Sequence, residues 1–393
     1  MSKNIVIISN YYPPEMGAAA NRIKNLAEGL KSKGNKVTVM CPLPNYPKGK
    51  IFEKYSGKFF VEEIVEEIIV KRYWIFPSKS KKAIVRLFSM LSFAWSFWFS
   101  IFSLVRKKPD VFIIQSPPLL VALSGLLLSK VLGCKNILNV SDIWPLSALE
   151  LEVIKKGSFY SFLEKIEKIN YKLADKIIGQ SEEILTHIKG VVDTDSLIYR
   201  NVPNYRKFSV KEKSKGNLKI VYAGLLGYAQ GILNICSEIN FKEIGVELHI
   251  YGAGMEENEI KQFSEKSDNN IFFHGVKSAK EIKDEIRKFD IGFVPLKNKI
   301  YGALPSKIFE LMQLGIPILY VGSGEAEEII ASKKSGLFSE PNDLKSLCKN
   351  ISIFKQMDNS DYIMCSKNNI NAHVNEFNLE LQMEKLQHFI NLN

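Results

Sequence analysis

The sequence predicts an α/β protein of two doubly wound, Rossmann-like domains. Three observations lead there. Short apolar runs of strand length alternate with helix-length stretches along the whole chain. A polar segment punctuated by Pro and Gly, 201–217, divides that series. At 393 residues the chain can bury two separate cores. The expected layout is a first domain over 1–200, a linker over 201–217, a second domain over 218–370, and a final helical segment, 371–393, packing back on the first domain.

Ile5 to Ser9 reads as the opening strand, followed by the loop NYYPPEMGAAANR and a helix from Ala18 to Ser32. A dinucleotide site would place GxGxxG at this turn. Here Gly17 stands alone, with Ala18 to Ala20 small enough to let a ligand or another backbone approach. Lys36 to Cys41 is the second strand, and Pro42 to Gly57 is a long loop and a candidate substrate flap.

Lys71 to Lys108 contains no acidic residue. Lys79, Lys81, Lys82 and Arg86 precede an uncharged run from Leu87 to Val105, which carries Trp95 and Trp98. Its length suits a membrane span. The strands on either side, Ile5 to Ser9 and Val111 to Gln115, read as members of one sheet, so a single crossing would separate them. Serines at 89, 92, 96, 100 and 103 recur near helical spacing. The expectation is a helix over 79–108 that packs on its own sheet with one face and meets the headgroup layer of a membrane with the other, its basic residues and the two tryptophans making the contact, with a wholly buried helix as the alternative.

Pro117 to Leu132 is a further apolar helix and Lys135 to Val140 a strand, after which SDIWP places Asp142 where α/β ligand sites lie. A helix over 158–173, strand 176–180, helix 182–188 and strand 197–200 complete the first domain. The second begins at Leu218. KIVYAG runs into the turn LLGYAQG, with Gly224, Gly227, Gln230 and Gly231; VELHIYGAG, NIFFHGV and GLFSEPNDLKSL follow.

Residues 290–325 organise the second domain. Asp290 to Pro295 and Ile316 to Val321 read as buried parallel strands flanking a helix from Pro305 to Leu314. Pro305 suits a first helical turn, and Gly315 with Pro317 ends the helix. Such a helix start offers free N–H groups to a phosphate. Ser306, Lys307 and Glu310 share one face: the lysine suits phosphate, and the carboxylate can accept both hydroxyls of a ribose. Gly324 and Glu325 open the next helix, where a carboxylate suits the helix dipole and also offers a sugar contact.

The charge of +11 calls for an anionic partner: nucleic acid, a phosphorylated ligand or an acidic membrane. Five scattered cysteines show neither metal-ligand spacing nor a disulfide framework, which suits a reducing compartment. MSKNIVIIS enters a strand with no signal-peptide pattern, so a cytoplasmic location is expected. His249 and His274 read as packed strand residues.

NYYPPEMGAAANRIKNLAEGLKSKGNKVTVM, IYGAGMEENEI, FFHGVKSAKEI, PSKIFELMQLGIPIL and SGLFSEPNDL, in this order and spacing, resemble the retaining glycosyltransferases of family 4, which have the GT-B architecture of two domains facing across a cleft. SDIWP, AGLLGYAQG and ALPSKIFE are similar to bacterial enzymes that add amino sugars such as N-acetylfucosamine to lipid-linked precursors of surface polysaccharide, O-antigen or capsule. The resemblance implies a UDP-sugar donor, a polyprenyl-diphosphate-linked saccharide acceptor, an anionic membrane surface at the inner face of the plasma membrane, and neither cofactor nor metal. It also implies a donor site of Gly17, Gly224, Gly227, Gln230, Ser306, Lys307, Glu310, Gly324 and Glu325, with Lys307 and Asp142 catalytic. Glu310 matches the second glutamate of the family's E-x7-E motif, but the first falls on Gly302. The Arg and Lys that often hold the pyrophosphate are replaced by Leu225 and Gln230, leaving Lys307, with Lys297 or Lys299, to supply the charge, and Arg206 less so. A nucleotide-sugar epimerase of the same architecture is the alternative enzyme. A nucleic-acid-binding protein is the alternative suggested by charge, although no nucleic-acid motif is present and no nucleic-acid partner is expected.

Overall fold

In a computed structural model of the protein, residues 2–46, 49–78, 80 and 83–392 are described. They divide into two units: Met1–Asn201 with Leu379–Asn393, and Val202–Asn378.

The first unit runs β1 (Asn4–Ile8), α1 (Ala18–Ser32), β2 (Lys36–Pro42), β3 (Phe60–Val65), β4 (Ile68–Tyr73), α2 (Ala83–Ser96), α3 (Ile101–Arg106), β5 (Val111–Ser116), α4 (Leu119–Val131), β6 (Lys135–Val140), α5 (Leu146–Glu150), α6 (Ser158–Leu173), β7 (Lys176–Gly179), α7 (Glu182–Lys189) and β8 (Ser196–Ile198). Its eight strands lie in the order β3-β4-β2-β1-β5-β6-β7-β8. Every residue of β5 is buried, as both faces of a parallel sheet covered by helices require. The strand order reverses between β1 and β5, so the crevice for a ligand lies outside their carboxyl ends.

The antiparallel β3–β4 hairpin is a feature that sequence reasoning missed. Glu66 and Glu67 make its turn at φ of 49° and 63°, unusual for glutamate. Two lysines of α1 hold them: Lys24 pairs with Glu66 at 2.8 Å and Lys31 with Glu67.

α2 and α3 join through one 3-10 turn, Phe97–Ser100, into a helix whose apolar stretch, Leu87–Arg106, is 20 residues long with a mean hydropathy of 1.6. By length and composition it could cross a membrane, but β4 before it and β5 after it belong to one sheet. Its buried face mixes serines with Phe93, Phe97 and Leu104. Ser92, Ser96 and Ser100 are buried, while Phe88, Leu91, Trp95, Phe99, Phe102 and Val105 are exposed. Two of the serines serve main-chain groups there: Ser92 Oγ accepts the Phe76 N–H at 2.8 Å, and Ser96 Oγ donates to the Trp74 carbonyl at 2.6 Å.

The second unit runs β9 (Leu218–Leu225), α8 (Ile232–Glu238), α9 (Phe241–Ile244), β10 (Val246–Ala253), α10 (Glu257–Lys266), β11 (Ile271–Gly275), α11 (Ala279–Ile286), β12 (Ile291–Pro295), α12 (Lys307–Leu314), β13 (Ile318–Val321), α13 (Glu325–Lys333), β14 (Gly336–Ser339), α14 (Leu344–Gln356) and α15 (Asn359–Asn375). Its six parallel strands follow β11-β10-β9-β12-β13-β14, reversing between β9 and β12. β9 and β10 approach so closely at Gly224 and Gly252 that a Cβ on Gly252 would overlap the Gly224 carbonyl.

The stretch 202–217 is laid along the second unit rather than hanging free. The Lys211 N–H donates to Ser366 Oγ at 2.9 Å, and the Ser214 N–H donates to Asp290 Oδ1 at 2.9 Å. At the other end of the chain α15 stays with the second unit, and α16 (Leu379–Asn391) returns to the first. There Asn35 Nδ2 donates to Gln387 Oε1 at 2.6 Å, Lys3 Nζ donates to the Ile390 carbonyl at 2.9 Å, and Met383 fills the space left by the missing side chain of Gly29.

Candidate functional site

In the second unit the residues of interest gather at the carboxyl ends of β9 and β12, the switch point of the sheet. α12 begins at Lys307, two residues later than Pro305. Pro305 and Ser306 form a tight turn ahead of it, because their carbonyls accept the N–H groups of Ile308 and Phe309 at 3.2 and 3.1 Å. The Glu310 N–H is also taken, by Ser306, so the N–H groups of Ser306 and Lys307 remain as donors. The Lys307 side chain runs across Gly224: a Cβ on that glycine would lie 2.8 Å from Lys307 Cε and 2.7 Å from Tyr222 Oη. Lys307 and Glu310 line one hollow with Val221, Ala223, Phe293 and Leu311.

A second hollow on this edge takes in Gln230, Gly231, Lys297 and Asn342. The Lys297 N–H donates to the Ala229 carbonyl at 2.8 Å, tying the loop after β12 to the glycine turn after β9. Its ammonium lies 3.5 Å from the centre of the Tyr228 ring. Tyr228 was not singled out from sequence; an aromatic inside a glycine turn was the available signal. The Gly227 turn closes through the Gln230 N–H, while Gln230 Oε1 is buried with no partner among the described residues. Arg206 is far less suited to hold phosphate, since its guanidinium lies over Phe208 at 4.6 Å.

Gly302 has φ of +82°, a conformation glutamate rarely adopts, so the loop backbone itself departs here from one that would carry a carboxylate. Gly324 caps α13 at φ of +83°, and Glu325 is buried in the first turn.

In the first unit Gly17 precedes α1 with φ of +133°, and no acidic residue enters that helix's first turn. Asp142 follows β6 and accepts a hydrogen bond from Ser147 Oγ at 2.9 Å. Burial pushes its carboxyl up to about 6, and the hydrogen bonds from Ser147 and the Ile143 N–H only partly offset this. That value suits proton transfer near neutrality. His249 and His274 stack with Phe272 and Tyr251 on β10 and β11, and their ring nitrogens lie 2.9 Å apart. Among the described residues no three His, Cys, Asp or Glu side chains gather as a metal would require.

Of the expected membrane contacts, Lys79, Lys81 and Lys82 lie outside the described residues, and Arg86 is placed only as part of α2. Trp95 is on the exposed face at 59%. Trp98 is not; its indole N–H donates to Ser124 Oγ on α4 at 2.7 Å. Sequence reasoning missed Phe59, which extends the exposed face by packing edge-on to Phe99 and stacking on Trp74.

Residues 217–354 match the family described as Glycosyl transferases group 1. The chain is 23% identical over 331 residues to the putative colanic acid biosynthesis glycosyl transferase WcaI of Escherichia coli K12, covering 79% of this chain and 81% of that one. It is 28% identical over 273 residues to the probable glycosyltransferase WbjE of Pseudomonas aeruginosa, covering 64% and 68%. This protein is a glycosyltransferase. Its fold agrees: the glycosyltransferase superposes on sucrose-phosphate synthase from Thermosynechococcus elongatus with a TM-score of 0.75 at 13% identity, over 98% of both chains. HepE of Anabaena in complex with UDP-glucose gives 0.68 at 12% identity, over 99% of both. These neighbours have the GT-B architecture, and each unit of the glycosyltransferase has the doubly wound α/β form expected of it.

Proposed function

We propose that the enzyme is a retaining transferase of the family 4 type. It moves an N-acetylated amino sugar from a UDP-sugar to a polyprenyl-diphosphate-linked saccharide during O-antigen or capsule synthesis. One observation carries the donor reading: Lys307 crosses Gly224 at the switch point of the second sheet, with Glu310 one turn further along the same hollow. The structural neighbour HepE, crystallised with UDP and UDP-glucose, supports a nucleotide-sugar donor. WcaI, named for colanic acid biosynthesis, supports a polysaccharide setting.

In this reading Glu310 accepts the ribose hydroxyls. The Lys307 ammonium and the N–H groups of Ser306 and Lys307 meet the diphosphate. As the glycosidic bond breaks, charge grows on the departing phosphate, and these fixed donors favour that charge more than they favour the ground state. Lys297, held on Tyr228, adds charge that Leu225 and Gln230 do not provide. The Gly17 and Gly227 amides and the Gly324–Glu325 turn complete the donor contacts. Transfer proceeds from the front face, the leaving phosphate helping to take the acceptor proton, with Asp142 placed for sugar positioning or proton transfer and without a metal.

The enzyme works as a peripheral protein at the inner face of the membrane. The apolar face of α2 and α3 supports this, as does the basic sequence around it from Lys79 to Lys108. The deciding experiment incubates the protein with a panel of UDP-sugars and the lipid-linked saccharide fraction of the producing cells, then identifies the product. No transfer from any donor would overturn the reading.

A further inference from the structure

Glu15 is a carboxylate only 3% exposed in a surface loop whose next residue, Met16, is 77% exposed. Burial pushes its carboxyl up, and backbone N–H groups of Asn45, Tyr46 and Tyr12 pull the other way. The reason for its burial is a side-chain clamp. Glu15 Oε1 accepts the N–H of Asn45 at 2.8 Å and of Tyr46 at 2.9 Å, so the loop after β1 holds the loop after β2. The neighbouring Arg72 is committed elsewhere, to Glu63 of β3 at 2.6 Å and to the Pro13 carbonyl, which ties the loop after β1 to the β3–β4 hairpin.

The clamp sets an aromatic pair in place. Tyr46, 43% exposed, meets Tyr11 edge to face with ring centres 5.7 Å apart. The pair stands with Met16 at the carboxyl ends of β1 and β2, just ahead of Gly17. A pyranose presents an apolar C–H face that stacks on such a ring, and a ring held by a clamp loses little freedom on binding.

We propose that Glu15 is a positioning residue for the acceptor: by clamping Asn45 and Tyr46 it holds the Tyr11–Tyr46 pair as a stacking platform for the acceptor's sugar ring. The proposal rests on the transferase reading above.

The test varies the lipid-linked saccharide fraction at saturating UDP-sugar. Glu15→Ala and Tyr46→Ala each raise the acceptor KM about ten-fold, with donor KM unchanged. Tyr46→Trp restores the wild-type value. Glu15→Gln, whose amide oxygen accepts the same two N–H groups, stays near wild type. The Glu15→Ala/Tyr46→Ala double variant is no worse than Tyr46→Ala, because the carboxylate acts through the tyrosine. Hydrogen exchange at Asn45 and Tyr46 speeds up in Glu15→Ala. An unchanged acceptor KM in a folded Glu15→Ala with faster exchange overturns this proposal and leaves the transferase reading standing. A wild-type enzyme that transfers nothing overturns both.

Discussion

Lys307 and Gly224 occupy each other's space: the lysine Cε stands where a Cβ on residue 224 would come within 2.8 Å of it. The absent side chain is what lets the ammonium reach the carboxyl end of β9. Gly224→Ala is therefore expected to fold, since the lysine tail can move, but to push Lys307 off its path. Tyr222 Oη, which donates to the Leu225 carbonyl at 2.6 Å, shifts as well. A loss of about 1–3 kcal/mol in stability and a fall in kcat/KM, read by denaturant unfolding and sugar transfer, check this.

Truncating the two polar residues of that hollow should separate their roles. Lys307→Ala removes a cation that acts on developing charge, and kcat falls about 10²–10³-fold. Glu310→Ala removes a ribose acceptor and weakens UDP binding at least ten-fold, on the order expected for a charged hydrogen bond. Calorimetric titration with UDP measures the second effect, and unchanged affinity would falsify the ribose role.

Asp142 links activity to pH and stability. Its carboxyl is pushed up to about 6 in the fold from the ordinary aspartate value of 3.8. Between these values the folded chain keeps a proton that the unfolded chain has lost, so stability declines as pH rises through that window and stays lower above it. The whole effect is on the order of 3 kcal/mol at most. Asp142→Asn should melt higher than the parent at pH 7.5 and nearly level with it at pH 4, while losing transfer. A lower melting temperature at pH 7.5 would count against a buried charge here.

The exposed helix face gives a binding prediction. Replacing Trp95 and Phe99 with serine removes two large side chains, each worth about 1.5–3 kcal/mol if fully buried in lipid. Co-flotation with anionic vesicles should drop by more than ten-fold, whereas Trp98→Phe, which loses an internal hydrogen bond to Ser124, should keep its binding. Equal flotation of all three proteins would remove the membrane reading.

Much of the fold was legible in advance because buried parallel strands leave a plain mark: short, mostly apolar runs of strand length. Val111–Ser116 and Lys135–Val140 appear where those runs lie. The β3–β4 hairpin was not legible. Its Glu66–Glu67 turn lacks glycine or asparagine and is held by lysines more than thirty residues earlier in the chain. Helix α12 was displaced by two residues for a local reason, since Pro305 starts a 3-10 turn rather than the helix itself. Lys307 and Glu310 were readable as a pair from their spacing; their place beside Gly224 was not.

By itself the sequence determined the two α/β series, the break between them and the charged face of α12, because local periodicity and turn chemistry act over a few residues. Tertiary structure decided what distance along the chain conceals: that Ser92 and Ser96 of α2 point inward while Phe88 and Trp95 point outward, that Tyr228 carries Lys297, and that Glu15 clamps Asn45 and Tyr46. The serine contacts and the Glu15 clamp depend on which main-chain groups lack partners once the sheets have formed, and the Lys297–Tyr228 contact on which strand ends bring their loops together.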